Sequence, residues 1–111
     1  MKTTSFALIL GIALSFPVLA AASHTVDSGH TFPSFEISHL GFSIQRGRFD
    51  RTSGKVLLNQ ESGTGSINIA IETASISTGL AELGKHLRGE DFLNAARYPK
   101  ITFVSDKLTY L

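Results

Sequence analysis

Four histidines, His24, His30, His39 and His86, and nine Asp and Glu are the side chains in this 111-residue chain best suited to acid–base or metal chemistry. A zinc site would need His, Cys or carboxylates at spacings that bring three or four of them onto one centre. Here no two histidines fall on one helical face, there is no H-E-x-x-H run, and the chain has no cysteine. Gly63-Thr64-Gly65 is a fragment of a phosphate loop without the Lys-Ser/Thr that follows in such loops, and a turn between strands accounts for it. No G-x-S-x-G elbow singles out a serine nucleophile. The expectation is a non-catalytic protein with no resident metal or cofactor. His39 and His86 remain as candidate polar contacts for a ligand, since a neutral imidazole both donates and accepts. For His39 the competing reading is a core histidine satisfied by backbone. For His86 it is a helix-end side chain beside the last carbonyls.

The elements that would position these residues are mainly strands. In Ser34 to Leu40, Phe35 and Ile37 alternate with Ser34, Glu36 and Ser38, the two-residue period of a half-buried strand, and His39 falls on the apolar side. Phe42, Ile44 and Phe49 continue in a second extended piece, with Gly41 and Gly47 marking bends or close backbone approach. Thr52-Ser53-Gly54 reads as a turn, Lys55 to Gln60 as a strand, and Ser62 to Ser66 as a hairpin loop. The clearest strand follows, with Ile67, Ile69 and Ile71 on one side and Asn68 and Glu72 on the other. Beyond Thr78 the period lengthens: Leu80, Leu83 and Leu87 predict a short helix ending at Gly89, with Gly84 inside it. Glu90 and Asp91 can open a further helical turn presenting Phe92 and Leu93. Tyr98-Pro99 then returns the chain to extended geometry for a last strand carrying Ile101 and Phe103.

The N-terminus reads as an export signal. Lys2 supplies a positive start, Phe6 to Leu14 an apolar stretch too short to span a bilayer, and Ala20-Ala21-Ala22 a cleavage site after Ala22. Residues 1–22 are therefore expected to be a cleaved signal peptide, with residues 23–111 one small domain in the periplasm, not spanning the membrane. Loss of Lys2 leaves nine Lys and Arg against nine Asp and Glu. A balanced charge gives no reason to expect a nucleic-acid partner. Arg46 to Arg51, RGRFDR, is the only basic cluster, and Asp50 inside it fits solvated side chains flanking a turn.

Three stretches, HTFPSFEISHLGFSIQRGRFD at 30–50, ETASIST at 72–78 and KHLRGEDFLNAARYPKITF at 85–103, together resemble the YceI-like family of exported bacterial proteins. The resemblance runs through nearly all of the chain from His24. It implies an all-β, antiparallel, lipocalin-like barrel with one short helix before the last strand described above. It also implies a non-catalytic role: an apolar tunnel holding a polyisoprenoid or the tail of an isoprenoid quinone. Phe35, Ile37, Ile67, Ile69, Ile71, Ile101 and Phe103 would line its interior, joined by Phe42, Phe49, Leu87 and Phe92, with His39 as the polar contact. The same inward Phe and Ile also suit a filled core.

Two features depart from the family pattern. Leu83 and Gly84 stand where Arg-Asp is common, and Gly89 where a serine is usual. Family domains also continue well past the strand at Ile101 to Ser105, so the expectation is a fragment with a partial, unclosed barrel and exposed strand edges. Those edges open two alternatives: a homodimer, and a protein-interaction or stress-response module that carries no lipid.

Overall fold

A computed structural model describes residues 21–109. In chain order its elements are β1 (Ala22–Thr25), β2 (Ser34–His39), β3 (Ser43–Phe49), β4 (Thr52–Asn59), β5 (Thr64–Glu72), a 3-10 turn at Thr73–Ser75, β6 (Ile76–Ser77), α1 (Ala81–Arg88) and β7 (Lys100–Ser105). The strands form two antiparallel sheets, one in the order β1-β4-β5-β7 and the other β2-β3-β6. The described strands are not closed into a barrel. The expected signal peptide falls on residues 1–22, of which 1–20 lie outside the described residues.

The first sheet follows directly from alternation. Directly opposed residues on antiparallel strands share a face. Ile69 opposes Phe103 and Ile71 opposes Ile101, while on the other side Val56 opposes Ile67. One face of this sheet is therefore apolar, and Lys55, Asn68, Glu72 and Lys100 occupy the other.

Two boundaries differ from the sequence reading. Thr52-Ser53-Gly54 is the start of β4 rather than a turn, with Thr52 buried opposite Ile71. The glycine there serves close strand approach: a Cβ at Gly54 would overlap the Asn68 carbonyl oxygen, and Gly54 has φ 156°. The loop before β5 is likewise shorter than Ser62 to Ser66, since β5 already begins at Thr64. Backbone pairing with β4, from Asn59 opposite Thr64 onward, outweighs the turn propensity of Thr64-Gly65-Ser66.

Among the described residues the chain passes between the two sheets four times, and two of these crossings lie side by side. Asp50 and Arg51 carry the chain from β3 to β4, and Thr73–Ser75 carries it from β5 to β6. Ser75 fastens the two crossings together. Its carbonyl accepts from the Asp50 N–H (3.0 Å), its hydroxyl accepts from the Arg51 N–H (3.1 Å), and that hydroxyl donates to the Glu72 carbonyl (2.7 Å). Burial is deepest at this junction, where Thr52, Thr73, Ser75 and Ile76 are all buried.

Helix α1 starts from an extended Leu80 and stops at Gly89, with Glu82 in its first turn and Lys85, His86 and Arg88 in its last, each on the favourable end of the helix dipole. The residues after it do not extend the helix. They fold into successive turns in which Leu93 N–H reaches back to the Leu87 carbonyl (3.0 Å) and Ala95 N–H to that of Arg88 (3.0 Å). Asn94 takes a left-handed conformation, φ 44°, that asparagine tolerates better than most residues. The wrap sets Phe92 and Leu93 beside Leu87.

Candidate functional site

An open apolar hollow of about 430 Å³ lies between the second sheet and the helix, lined by Phe35, Ile37, Phe49, Ile76, Leu87, Phe92 and Leu93. Its walls come from β2, β3, β6, α1 and the turns beyond α1, each with its own local logic. On β2, Phe35 and Ile37 face it through simple alternation. Phe49 ends β3 opposite Ile76 of β6, which places both on the same side as Phe35. The Phe35 and Phe49 rings lie 6.0 Å apart at a tilted 55°, an arrangement favoured by the ring quadrupoles. Gly47, opposite Phe35, makes room for that ring: a Cβ at Gly47 would overlap its edge and stand 3.0 Å from the Ser77 carbonyl oxygen.

Among the described residues, one side-chain hydrogen bond ties the helical wall to the second sheet. Arg88 Nη1 donates to the Ile76 carbonyl (3.2 Å), fixing α1 against the strand whose side chain enters the hollow. Phe92, from the turns beyond α1, meets the His86 ring edge-on at 4.7 Å. His86 thus packs on a lining residue and is itself exposed, on the helix surface beside Glu82, Lys85, Glu90 and Asp91.

Of the residues expected from the sequence, the structure brings Phe35, Ile37, Phe49, Leu87 and Phe92 into this hollow. Ile67, Ile69, Ile71, Ile101 and Phe103 share one face of the first sheet but do not line it. His39 shares the side of Phe35 and Ile37 at the far end of β2, exposed and outside the lining. Phe42 stands in the turn before β3 rather than in an extended piece, and is 94% exposed. Ile76 was missed. Its only sequence signal is one isoleucine among the small polar residues of ETASIST, and its partner Phe49 lies far along the chain. Leu93 was visible as an apolar residue next to Phe92, yet only the reach of its N–H back to Leu87 makes it a wall residue.

The electrostatics around the hollow are local and exposed. Arg46 pairs with Glu36 (2.6 Å), Arg48 with Asp50 (2.7 Å) and Arg51 with Glu72, so the basic cluster is neutralised residue by residue at the surface. Arg48 also lies 4.1 Å over the Phe32 ring. Asp27 is held below the usual carboxylate range by its hydrogen bond to His30 and then by the Gly29 N–H. Among the described residues, no group of three or more His, Asp and Glu is arranged to hold a metal ion, and no helix is long and apolar enough to cross a membrane.

An antiparallel β framework, not closed into a barrel and with one short helix before its last described strand, defines the class as a mostly β fold. A family model described as the YceI-like domain matches residues 24–110, and the chain belongs to that family. A UPF0312 protein of Vibrio parahaemolyticus is 37% identical over 112 residues, covering 97% of this chain and 59% of its own length. A UPF0312 protein of Shewanella oneidensis is 36% identical over 109 residues, covering 95% of this chain and 57% of its own. The chain thus spans less than two thirds of the length of these relatives.

Proposed function

We propose that this chain forms part of a non-catalytic, exported, periplasmic binding protein for a polyisoprenoid or isoprenoid-quinone lipid, with the hollow between the second sheet and α1 receiving part of the isoprenoid chain. One observation carries this reading: all seven side chains that line the 430 Å³ hollow are apolar, three of them phenylalanine. Burying each five-carbon isoprene unit contributes about 3–4 kcal/mol of gross transfer free energy, before ordering costs. An isoprenoid therefore needs no charged anchor, in keeping with a hollow that offers none. The apolar face bearing Ile69, Ile71, Ile101 and Phe103 supplies a second surface of the same character for a longer tail.

Organic extraction of the purified protein followed by mass spectrometry tests the reading. An isoprenoid quinone or polyprenyl lipid is expected in the extract. Leu87→Glu, which keeps a good helix former in α1 but sets a carboxylate in the hollow, should lower the retained lipid more than tenfold. An empty extract from the unaltered protein would remove the proposal.

A second reading has its own support. Among the described residues β7 is paired only with β5 and β2 only with β3, so each offers a free backbone edge. Edge pairing with a second copy or another protein follows the usual route of strand addition. An empty extract together with a stable dimer in light scattering favours it.

A further inference from the structure

The β2–β3 hairpin ends in a tip that strand pairing does not explain. Leu40 and Phe42 project from it at 79% and 94% exposure, on either side of Gly41. The turn is closed by Phe42 N–H donating to the His39 carbonyl (3.0 Å), and it sets two consecutive residues in the left-handed region, Leu40 at φ 53° and Gly41 at φ 73°. Gly41 suits that geometry, whereas leucine is disfavoured there and asparagine or glycine would relieve it. A large apolar side chain held fully outward at a backbone cost has no packing role within the described residues.

The charges near the tip are arranged to match. No Asp, Glu, Lys or Arg occurs from Ile37 to Gln45, and the first charged residues met on the two strands are Glu36 and Arg46, which pair with each other across the hairpin. With Glu36 and Arg46 paired behind it, the tip can set Leu40 and Phe42 into the acyl–headgroup boundary of a bilayer without carrying an Asp, Glu, Lys or Arg side chain with them. Exposed apolar patches mark protein or membrane contacts, and a bilayer asks of this one only the apolar side chains it already presents. The tip follows directly on the strand that carries Ile37, a lining residue of the hollow three positions before Leu40.

We infer that Leu40 and Phe42 form a membrane-contacting tip that inserts into the surface of a lipid bilayer. The inference rests on the lipid-carrier reading for its purpose, since an isoprenoid must leave a membrane to enter the hollow, but not for its geometry.

Co-sedimentation of the purified protein with vesicles of phosphatidylethanolamine and phosphatidylglycerol tests it, alongside Leu40→Asn and Phe42→Ser. The unaltered protein should sediment with vesicles in low and high salt alike. Each variant should lose about tenfold or more in partitioning, the factor expected for withdrawing one large apolar side chain from a bilayer. Leu40→Asn should meanwhile hold or raise the thermal midpoint, because asparagine accepts the left-handed turn, so loss of vesicle binding cannot be put down to misfolding. Equal sedimentation of the variants, or none by the unaltered protein, overturns the inference. So does a Leu40→Asn change that turns a dimer into a monomer without vesicle binding by the parent, since the tip would then be covered by a second copy. Vesicle binding that depends on Leu40, combined with an empty organic extract, upholds the tip and removes the carrier reading. A lipid-filled extract with no dependence on Leu40 does the reverse.

Discussion

The two sheets solve the same problem, holding an apolar surface in place, by different means. In the first, β4 and β5 pair from Thr52 opposite Ile71 to Asn59 opposite Thr64, and β7 adds a third ladder of Ile, Phe and Thr. Its apolar face is a consequence of backbone register, because each side chain is placed by its own ladder. In the second, β6 contributes only Ile76 and Ser77, and the wall is completed by a helix end and a run of turns. There, position depends on a few side-chain ties: Arg88 to the Ile76 carbonyl, Phe35 against Gly47, Phe92 against His86. Backbone register places the first surface and side-chain ties place the second, and the hollow lies where the ties are.

A pair of glycine substitutions exposes that difference most sharply. Gly54→Ala sets a methyl group against the Asn68 carbonyl in the middle of the β4–β5 ladder, where the obstacle is backbone that cannot move without breaking pairing. It should cost roughly 2–4 kcal/mol in chemical denaturation. Gly47→Ala mainly meets the Phe35 ring, which can rotate away, and should cost about 1–2 kcal/mol. The smaller change in stability should nonetheless reduce retained lipid more, because Phe35 lines the hollow. Equal costs in the two sheets, or lipid retention tracking stability alone, would break the contrast.

The same contrast explains what the sequence discloses. The faces of β2, β5 and β7 were legible because period two is written in consecutive residues, and so was α1, from Leu83, Leu87 and the stop at Gly89. Thr52-Ser53-Gly54 misled because small polar residues with a glycine mark both turns and places where strands approach closely; only the Asn68 carbonyl opposite decides between them. The hollow was half legible. Phe35, Ile37 and Phe49 follow from alternation, but Ile76 enters through a two-residue pairing with β3, and Leu93 through a turn that reaches back over α1. Neither event has a local sequence signal, since each is fixed by a partner elsewhere in the chain. The separation of Ile67, Ile69, Ile71, Ile101 and Phe103 from the hollow has the same origin: membership of an apolar face is local, whereas the meeting of two faces is not.

Burial at the junction of the sheets offers a milder test, and one of opposite sign. Thr52 and Thr73 are buried with hydroxyls that make no hydrogen bond among the described residues. A buried hydroxyl without a partner is unfavourable, and valine has nearly the same shape. Thr52→Val should therefore stabilise by about 1 kcal/mol, read as a higher denaturation midpoint with an unchanged slope. Loss of stability would mean that the Thr52 hydroxyl takes part in joining the sheets, and that the junction is as dependent on polar ties as the hollow.

The smallest expected effect concerns the only covalent link from β1 to β2, and it asks whether the passage between sheets there is held as firmly as at Ser75. Val26 N–H still bonds to the Gly54 carbonyl (2.9 Å), after which the chain turns at Asp27, whose carboxylate accepts from Gly29 N–H (2.9 Å) and lies 2.9 Å from His30 Nδ1. These contacts lower the Asp27 pKa, so the folded state favours its ionised form. The stabilisation is therefore present above the ordinary Asp range and disappears as the pH falls through the lowered folded-state value. Because both partners are exposed, solvent and salt screen the pair, and the thermal midpoint should fall only slightly on acidification for this reason. The discriminating measurement is an NMR titration of the Asp27 carboxyl. Its midpoint should lie below the usual carboxylate range and return toward it in His30→Ala, because the His30 contact is the larger cause. A midpoint unchanged by that substitution would assign the turn to the Gly29 N–H alone. The link would then be set by backbone geometry, like the first sheet, rather than by a side-chain tie like those around the hollow.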